Sequence, residues 1–188
     1  HILLVFDKGK SFRNKIAADY KGNRKPKSNE FKLQWREVVQ LCEQVGYPVY
    51  AQEDGYEADD VIGTLAKRFE VEMDIVIFSG DKDFAQLVSD KILMYRPGNK
   101  WQPTTIWGVP EVLENFNIDN VNQVIDYLAM VGDSADNIPG IPGVGKKTAQ
   151  KLLKEYKSVE GLFANSHKLK GKMQENVASS EKIGMLCK

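Results

Sequence analysis

The stretch from Tyr56 to Asp83, Tyr-Glu-Ala-Asp-Asp-Val-Ile-Gly-Thr-Leu-Ala-Lys-Arg-Phe-Glu-Val-Glu-Met-Asp-Ile-Val-Ile-Phe-Ser-Gly-Asp-Lys-Asp, decides the fold class. Ala58, Ile62, Leu65, Ala66 and Phe69 recur at the spacing of one helix face, and the period then changes to the continuous run Asp74-Ile-Val-Ile-Phe-Ser79. A β-branched and aromatic run of that kind reads as a strand covered on both faces. The flanking sequence repeats the alternation. Ile2 to Phe6 reads as a buried strand ending at Asp7; Phe31, Trp35, Val38, Cys42 and Val45 predict an amphipathic helix that stops at Gly46; Pro48 to Ala51 is a short strand. Downstream, Ile92 to Tyr95 and Thr104 to Trp107 are short strands of an edge ribbon. Beyond Pro110 the chain is helical, with turns at Gly132 to Gly145 and near Ser158. The expected fold is α/β, a mostly parallel central sheet flanked by helices, with a helical C-terminal part. Tyr20 to Asn29 has no apolar period and reads as a mobile loop or arch.

With 188 residues, 42% hydrophobic and 28% charged, the chain is long enough for one ordinary core, and its composition excludes disordered and fibrous classes. No apolar run reaches the roughly 20 residues of a membrane span, so no membrane partner is expected. The first six residues carry neither a basic leader nor a small-residue cleavage site, which argues against a secretory signal. Cys42 and Cys187 supply no disulfide framework and no metal-ligand spacing, which suits a reducing compartment. The formal net charge of zero conceals three blocks. Lys8 to Arg36 holds ten Lys/Arg against Asp19 and Glu30; Glu53 to Asp83 holds ten Asp/Glu against Lys67, Arg68 and Lys82; Lys146 to Lys172 sets eight lysines against Glu155 and Glu160. A polyanion is drawn to the first and third blocks and repelled by the second unless cations sit there; three solvated faces of unequal sign are the plainer alternative.

The acids fall where strands end. Asp7 closes one strand, Glu57, Asp59 and Asp60 open a helix after another, and Asp81 and Asp83 follow the Asp74-to-Ser79 run. In open α/β sheets the strand carboxyl ends share one cleft, so these six acids are expected to converge, with a divalent cation offsetting their repulsion. All-oxygen ligands without His or Cys favour Mg²⁺ or Mn²⁺ over zinc. Two other readings stand beside this: Glu57, Asp59 and Asp60 as residues complementing a helix dipole, and Gly80-Asp81-Lys82-Asp83 as the metal-holding turn of a phosphatase.

The segment Asp133-Ser-Ala-Asp136-Asn-Ile-Pro-Gly140-Ile-Pro-Gly143-Val-Gly145-Lys-Lys-Thr148-Ala149 is the most informative. Gly140, Gly143 and Gly145 permit a tight turn that opens onto a helix starting near Lys146, and backbone N–H groups at a helix start bind phosphate oxygens. Such a hairpin grips a nucleic-acid backbone without reading bases. A plain Gly-Pro turn between helices is the alternative.

Taken in order, Val5-Phe6-Asp7 with Lys8-Gly9-Lys10-Ser11-Phe12-Arg13, then Tyr20-Lys21-Gly22-Asn23-Arg24, Gly55 to Ala66, Ser79 to Leu87 and Met130 to Ala149 resemble the 5′-nuclease (flap endonuclease) family. That family includes the 5′ to 3′ exonuclease domains of bacterial DNA polymerase I and phage 5′-exonucleases. The resemblance implies a PIN-like 5′-nuclease core over residues 1–124, with a basic arch at about 8–36, and a helix-hairpin-helix (H3TH) subdomain over 125–188. It implies a structure-specific 5′ to 3′ exonuclease and flap endonuclease of replication and repair, using two or more Mg²⁺ ions, with Mn²⁺ as a substitute. One metal group is implied at Asp7, Glu57, Asp59 and Asp60, a second at Asp81, Asp83, Asp133 and Asp136. Lys21 and Arg24 are implied to contact the scissile phosphate, and Tyr20 to stack on a base. Arg13, Gly140, Gly143, Val144, Gly145, Lys146, Lys147 and Thr148 are implied to bind DNA, with K⁺ held by the hairpin carbonyls. The implied partners are DNA with 5′ ends or flaps and a polymerase domain or partner, the implied state a monomer. The implied location is the cytoplasm of a bacterial or phage-infected cell, or a plastid or mitochondrial matrix. The chain departs from the family pattern at its start, which resembles the family's second strand, and by one residue fewer before Phe12-Arg13. Either residues upstream of His1 carry the family's first Asp or the metal site is incomplete, and a further C-terminal portion is expected after Lys188. A non-catalytic binder of branched DNA is the alternative function.

Overall fold

Short parallel pairings and amphipathic helices build two units, His1–Leu65 and Ala66–Lys188. The structure, a computed structural model, describes residues 1–51 and 55–186; Glu53 and Asp54 of the acidic block and Cys187 lie outside the described residues.

In the first unit β1 (Leu4–Val5) pairs in parallel with β2 (Val49–Tyr50). The expected strand over Ile2 to Phe6 contracts to two residues because β2 offers only two partners, and Ile2 and Leu3 are exposed. After α1 (Arg13–Ile16) comes α2 (Asn29–Gln44), whose first turn is capped by the Ser28 hydroxyl accepting from Phe31 N–H at 3.2 Å. The expected apolar stripe of α2 is real but unburied. Trp35 meets Phe6 edge-on at 5.2 Å and stacks on Phe31, yet Phe31, Trp35, Val38 and Val45 remain exposed. The division between the units falls inside α3 (Ala58–Phe69).

The second unit holds the sheet β3 (Ile75–Phe78), β4 (Ile92–Arg96) and β5 (Thr105–Trp107) in the order β3-β4-β5, β3 and β4 parallel, β5 antiparallel at the edge. A 3-10 turn, Lys82–Leu87, links β3 to β4. Because side chains alternate across a strand, one face carries Ile77, Ile92, Met94 and Trp107 into the core. The other carries Val76, Phe78, Leu93 and Ile106, and Val76 is 61% and Phe78 70% exposed, so the two-sided cover expected of this strand is absent among the described residues.

Beyond the sheet follow α4 (Val109–Phe116), α5 (Gln123–Val131), the ribbon β6 (Gly132–Asp133) and β7 (Ile138–Pro139), then α6 (Lys146–Tyr156), α7 (Val159–Ala164) and α8 (Gly171–Leu186). The core runs through Val124, Met130, Leu153, Leu162 and Val177, all fully buried. Trp107, Phe116 and Tyr127 join it edge-to-face, with centroids 6.3 and 5.2 Å apart. Buried Asp126 caps α7 by accepting Val159 N–H at 3.0 Å, and buried Gln123 donates to Lys157 C=O at 2.8 Å, so these polar groups are satisfied. No described helix is long and apolar enough to cross a membrane.

Candidate active site

The candidate residues fall into two acidic sets and one open helix end, each within a single unit. In the first unit Asp7 follows β1, and its Oδ1 accepts the N–H of Ala58, the first residue of α3, at 2.7 Å. The carboxylate thus sits at the positive end of that helix. Glu57, just before α3, is the hub: Oε2 accepts from the Ser11 hydroxyl (3.1 Å), Arg13 Nη1 (3.1 Å) and the Tyr20 hydroxyl (2.9 Å), while Oε1 takes the Lys21 ammonium. Asp60 receives Arg13 in bidentate fashion, Nη1 to Oδ2 at 2.8 Å and Nη2 to Oδ1 at 2.7 Å, and accepts Glu57 N–H at 2.9 Å. Asp59, on the same turn, is exposed.

The charges follow this geometry. Burial would raise the Glu57 carboxyl, but hydrogen bonds from Lys21 and Tyr20 outweigh it and hold it below the usual carboxylate range. The Arg13 guanidinium holds Asp60 below that range, and Asp60 in turn holds Arg13 well above its ordinary value. Burial opposes the Lys21 charge, yet Glu57 and Tyr20 together raise its pKa. Tyr20 is pushed up to about 12, first by burial and then by Glu57, so it donates as a neutral phenol.

This bears on two expectations. The arch does not float free at its start: Tyr20 and Lys21 dock on Glu57 through polar contacts, which an apolar-period reading cannot detect. Arg13, expected on DNA, spends its guanidinium on Asp60 and Glu57. Ser11 joins this set through Glu57, although a lone serine after a Lys/Gly run carries no distinctive signal in the sequence.

In the second unit Asp81 caps the 3-10 turn, Oδ1 accepting Asp83 N–H at 3.0 Å. Lys82 Nζ donates to Asp133 Oδ2 at 2.7 Å and forms an ion pair at 3.4 Å with Asp83 Oδ1, an atom shielded from solvent. Asp133 Oδ1 accepts Ala135 N–H at 2.8 Å. Burial first, then the Asp81 charge, raise the Asp83 carboxyl, whereas Lys82 holds Asp133 down. Asp136 follows on the same turn, half-buried, its N–H adding to the lowering at Asp133. Lys82, which the sequence gives only as part of the Gly80-to-Asp83 turn, is the cation that links this turn to Asp133.

Among the described residues no three His, Cys, Asp or Glu side chains stand as a group that could hold a metal ion. The carboxylates are instead drawn onto Arg13, Lys21 and Lys82. The donor chemistry nonetheless fits a hard divalent cation, since every candidate ligand is a carboxylate.

The hairpin is built as a platform. Gly143 has φ +79°, the left-handed conformation that favours glycine. Gly140 serves close packing, since a Cβ there would stand 2.4 Å from the carbonyl of Val131. Asn176 Nδ2 ties the loop by donating to Pro142 C=O at 2.8 Å. Val144 is buried, its N–H donating to Ile141 C=O at 2.9 Å, so its side chain anchors the turn from inside rather than facing a ligand. Gly145 caps α6, and a Cβ there would meet nothing within 4 Å; Lys146 and Lys147 are exposed, Thr148 is half-buried, and the first turn carries no acid.

Residues 1–117 match the family described as 5′-3′ exonuclease, N-terminal resolvase-like domain, and residues 120–188 the 5′-3′ exonuclease, C-terminal SAM fold. DNA polymerase I of Caldicellulosiruptor bescii is 38% identical over 192 residues, covering 100% of this chain and 22% of the relative. DNA polymerase I of Bacillus subtilis is 40% identical over 174 residues, covering 92% and 20%. The chain thus spans about a fifth of the length of the curated relatives it matches. Among solved structures, the bacteriophage T5 5′-exonuclease with bound zinc is 26% identical with a TM-score of 0.83, covering 98% of this chain and 71% of that one. The T5 flap endonuclease in complex with DNA and metal ions matches with the same identity, score and coverage. The catalytic core of Rad2 in complex with DNA shares the fold at 15% identity, with a TM-score of 0.60, covering 96% and 58%. With both halves matched in chain order, the chain belongs to the 5′-3′ exonuclease family.

Proposed function

We propose that this chain is a structure-specific 5′-nuclease that hydrolyses DNA phosphodiester bonds at free 5′ ends and 5′ flaps during replication and repair. The carrying observation is that Tyr20 and Lys21, from the segment whose resemblance is to the family's arch, rest on Glu57, so phosphate-binding cations and candidate metal ligands share one site in the first unit. Asp7, Glu57, Asp59 and Asp60 would hold one ion group and Asp81, Asp83, Asp133 and Asp136 the other, with Mg²⁺ as the resident ion and Mn²⁺ able to replace it. A bound divalent ion supplies an activated water and neutralises charge at the reacting phosphate. Lys21 and Arg24 contact the scissile phosphate, where their charge counts most in the transition state. Tyr20, neutral and planar, stacks on the terminal base. The N–H groups at the start of α6, with Lys146, Lys147 and Thr148, hold the duplex backbone, and K⁺ at the hairpin carbonyls would add a charge there.

The functional division we propose is a core over residues 1–124 and a DNA-holding subdomain over 125–188, acting as a monomer in the cytoplasm and joined to a polymerase domain. A 5′-labelled flap duplex tests the reading: cleavage near the branch that stops in chelator and returns with Mg²⁺ supports it. Binding of the same flap with no cleavage at any Mg²⁺ or Mn²⁺ concentration overturns it in favour of a non-catalytic branched-DNA binder.

A further inference from the structure

Lys82 lies between two aspartates in sequence and is turned onto a third. Its ammonium donates to Asp133 Oδ2 at 2.7 Å and forms an ion pair with Asp83 Oδ1 at 3.4 Å. One side chain therefore bridges the 3-10 turn after β3 and the β6 ribbon, two segments fifty residues apart. The charged and titratable groups facing it are Asp83 and Asp133, with Asp81 beside Asp83 and Tyr127 reaching in from α5. Carboxylates gathered this closely repel one another without a cation among them.

We propose that Lys82 is a built-in counter-ion of this acidic group: without a divalent ion it keeps Asp83 and Asp133 together, and with one present it competes for the same oxygens and so sets the affinity. The inference rests on the divalent-cation reading of the group. Two features suit a displaceable partner. A lysine ammonium is a point charge on a flexible stem, unlike the planar two-pronged guanidinium with which Arg13 clamps Asp60 in the first unit. The Lys82 side chain is also 45% exposed, so its head can swing into water while the carboxylates stay in place.

The test uses the whole chain, wild type, Lys82→Met and Lys82→Arg, titrated with Ca²⁺ by calorimetry and melted without metal. Lys82→Met, having no competitor, should bind Ca²⁺ about tenfold more tightly, equivalent to about 1.4 kcal/mol, while its metal-free melting temperature falls. Lys82→Arg, able to clamp two oxygens, should bind several-fold more weakly than wild type. A residue that merely scaffolds the turn would give weaker Ca²⁺ binding on removal, so unchanged or weaker binding by a folded Lys82→Met overturns the inference. If Lys82→Met does not fold, Ca²⁺ binding by Lys82→Arg at wild-type strength or above overturns it equally. No Ca²⁺ binding by the wild type overturns the divalent-cation reading itself, and the inference with it.

Discussion

Replacing Arg13 by Met should cost the first unit about 2 kcal/mol of stability at neutral pH, and the cost should narrow in acid. The guanidinium makes contacts of 2.7 and 2.8 Å to Asp60 and 3.1 Å to Glu57. Hydrogen bonds to charged groups contribute about 1.5–3 kcal/mol each, and breaking one side of a fully buried pair costs about 3–5 kcal/mol. Here the side chains of Glu57 and Asp60 are 12% and 20% exposed, but that of Arg13 is 36% exposed, so water screens the pair and the lower part of the range applies. The guanidinium also lies over the Phe12 ring, its Cζ 4.8 Å from the centroid, so methionine removes that contact along with the ion pair. Because Arg13 holds the Asp60 carboxyl below its ordinary value, its stabilisation is complete above the unfolded carboxyl pKa, near 4, and is lost as pH falls through the lower folded value. Urea unfolding of both proteins, followed by tryptophan fluorescence at pH 7 and then stepwise below pH 4, measures this. A gap as large in acid as at pH 7 would show that packing rather than charge is lost. No gap at pH 7 would show that water screens the pair entirely.

Asp133→Asn should reduce single-turnover flap cleavage at least a hundredfold while leaving flap affinity unchanged or higher, because it removes negative charge that otherwise repels phosphate; a parallel loss of affinity would refute this. Lys21→Ala should lower the single-turnover rate more than it weakens equilibrium binding, and an unchanged rate at saturating enzyme would reduce the arch to nonspecific attraction. Gly140→Ala should destabilise the hairpin by about 1–3 kcal/mol, since its Cβ would meet backbone atoms of Val131 and Met130 at 2.4–2.5 Å that no rotamer change can clear. Duplex affinity should drop alike on unrelated sequences, and wild-type stability in urea would contradict the packing.

Periodicity and spacing reached far into this protein because its local rules agree with its fold. The helix face of Ala58 to Phe69, the β-branched run Ile75 to Phe78, the glycine hairpin with its α6 start and the placement of Asp7 and Asp81 just past strands and of Glu57 just before α3 are properties of short segments, and the structure has them. What depends on partners far along the chain was not legible. The length of β1 is set by what β2 can pair, the exposure of Val76 and Phe78 by the lack of cover on that face among the described residues, and the burial of Val144 by the fold around it. Above all, sequence reading could list six acids and expect a metal among them. It could not see that Arg13, Lys21 and Lys82 supply the opposing charge, because each cation reaches its carboxylate across 36 to 51 residues of chain, and only the folded backbone brings such charges within hydrogen-bonding distance.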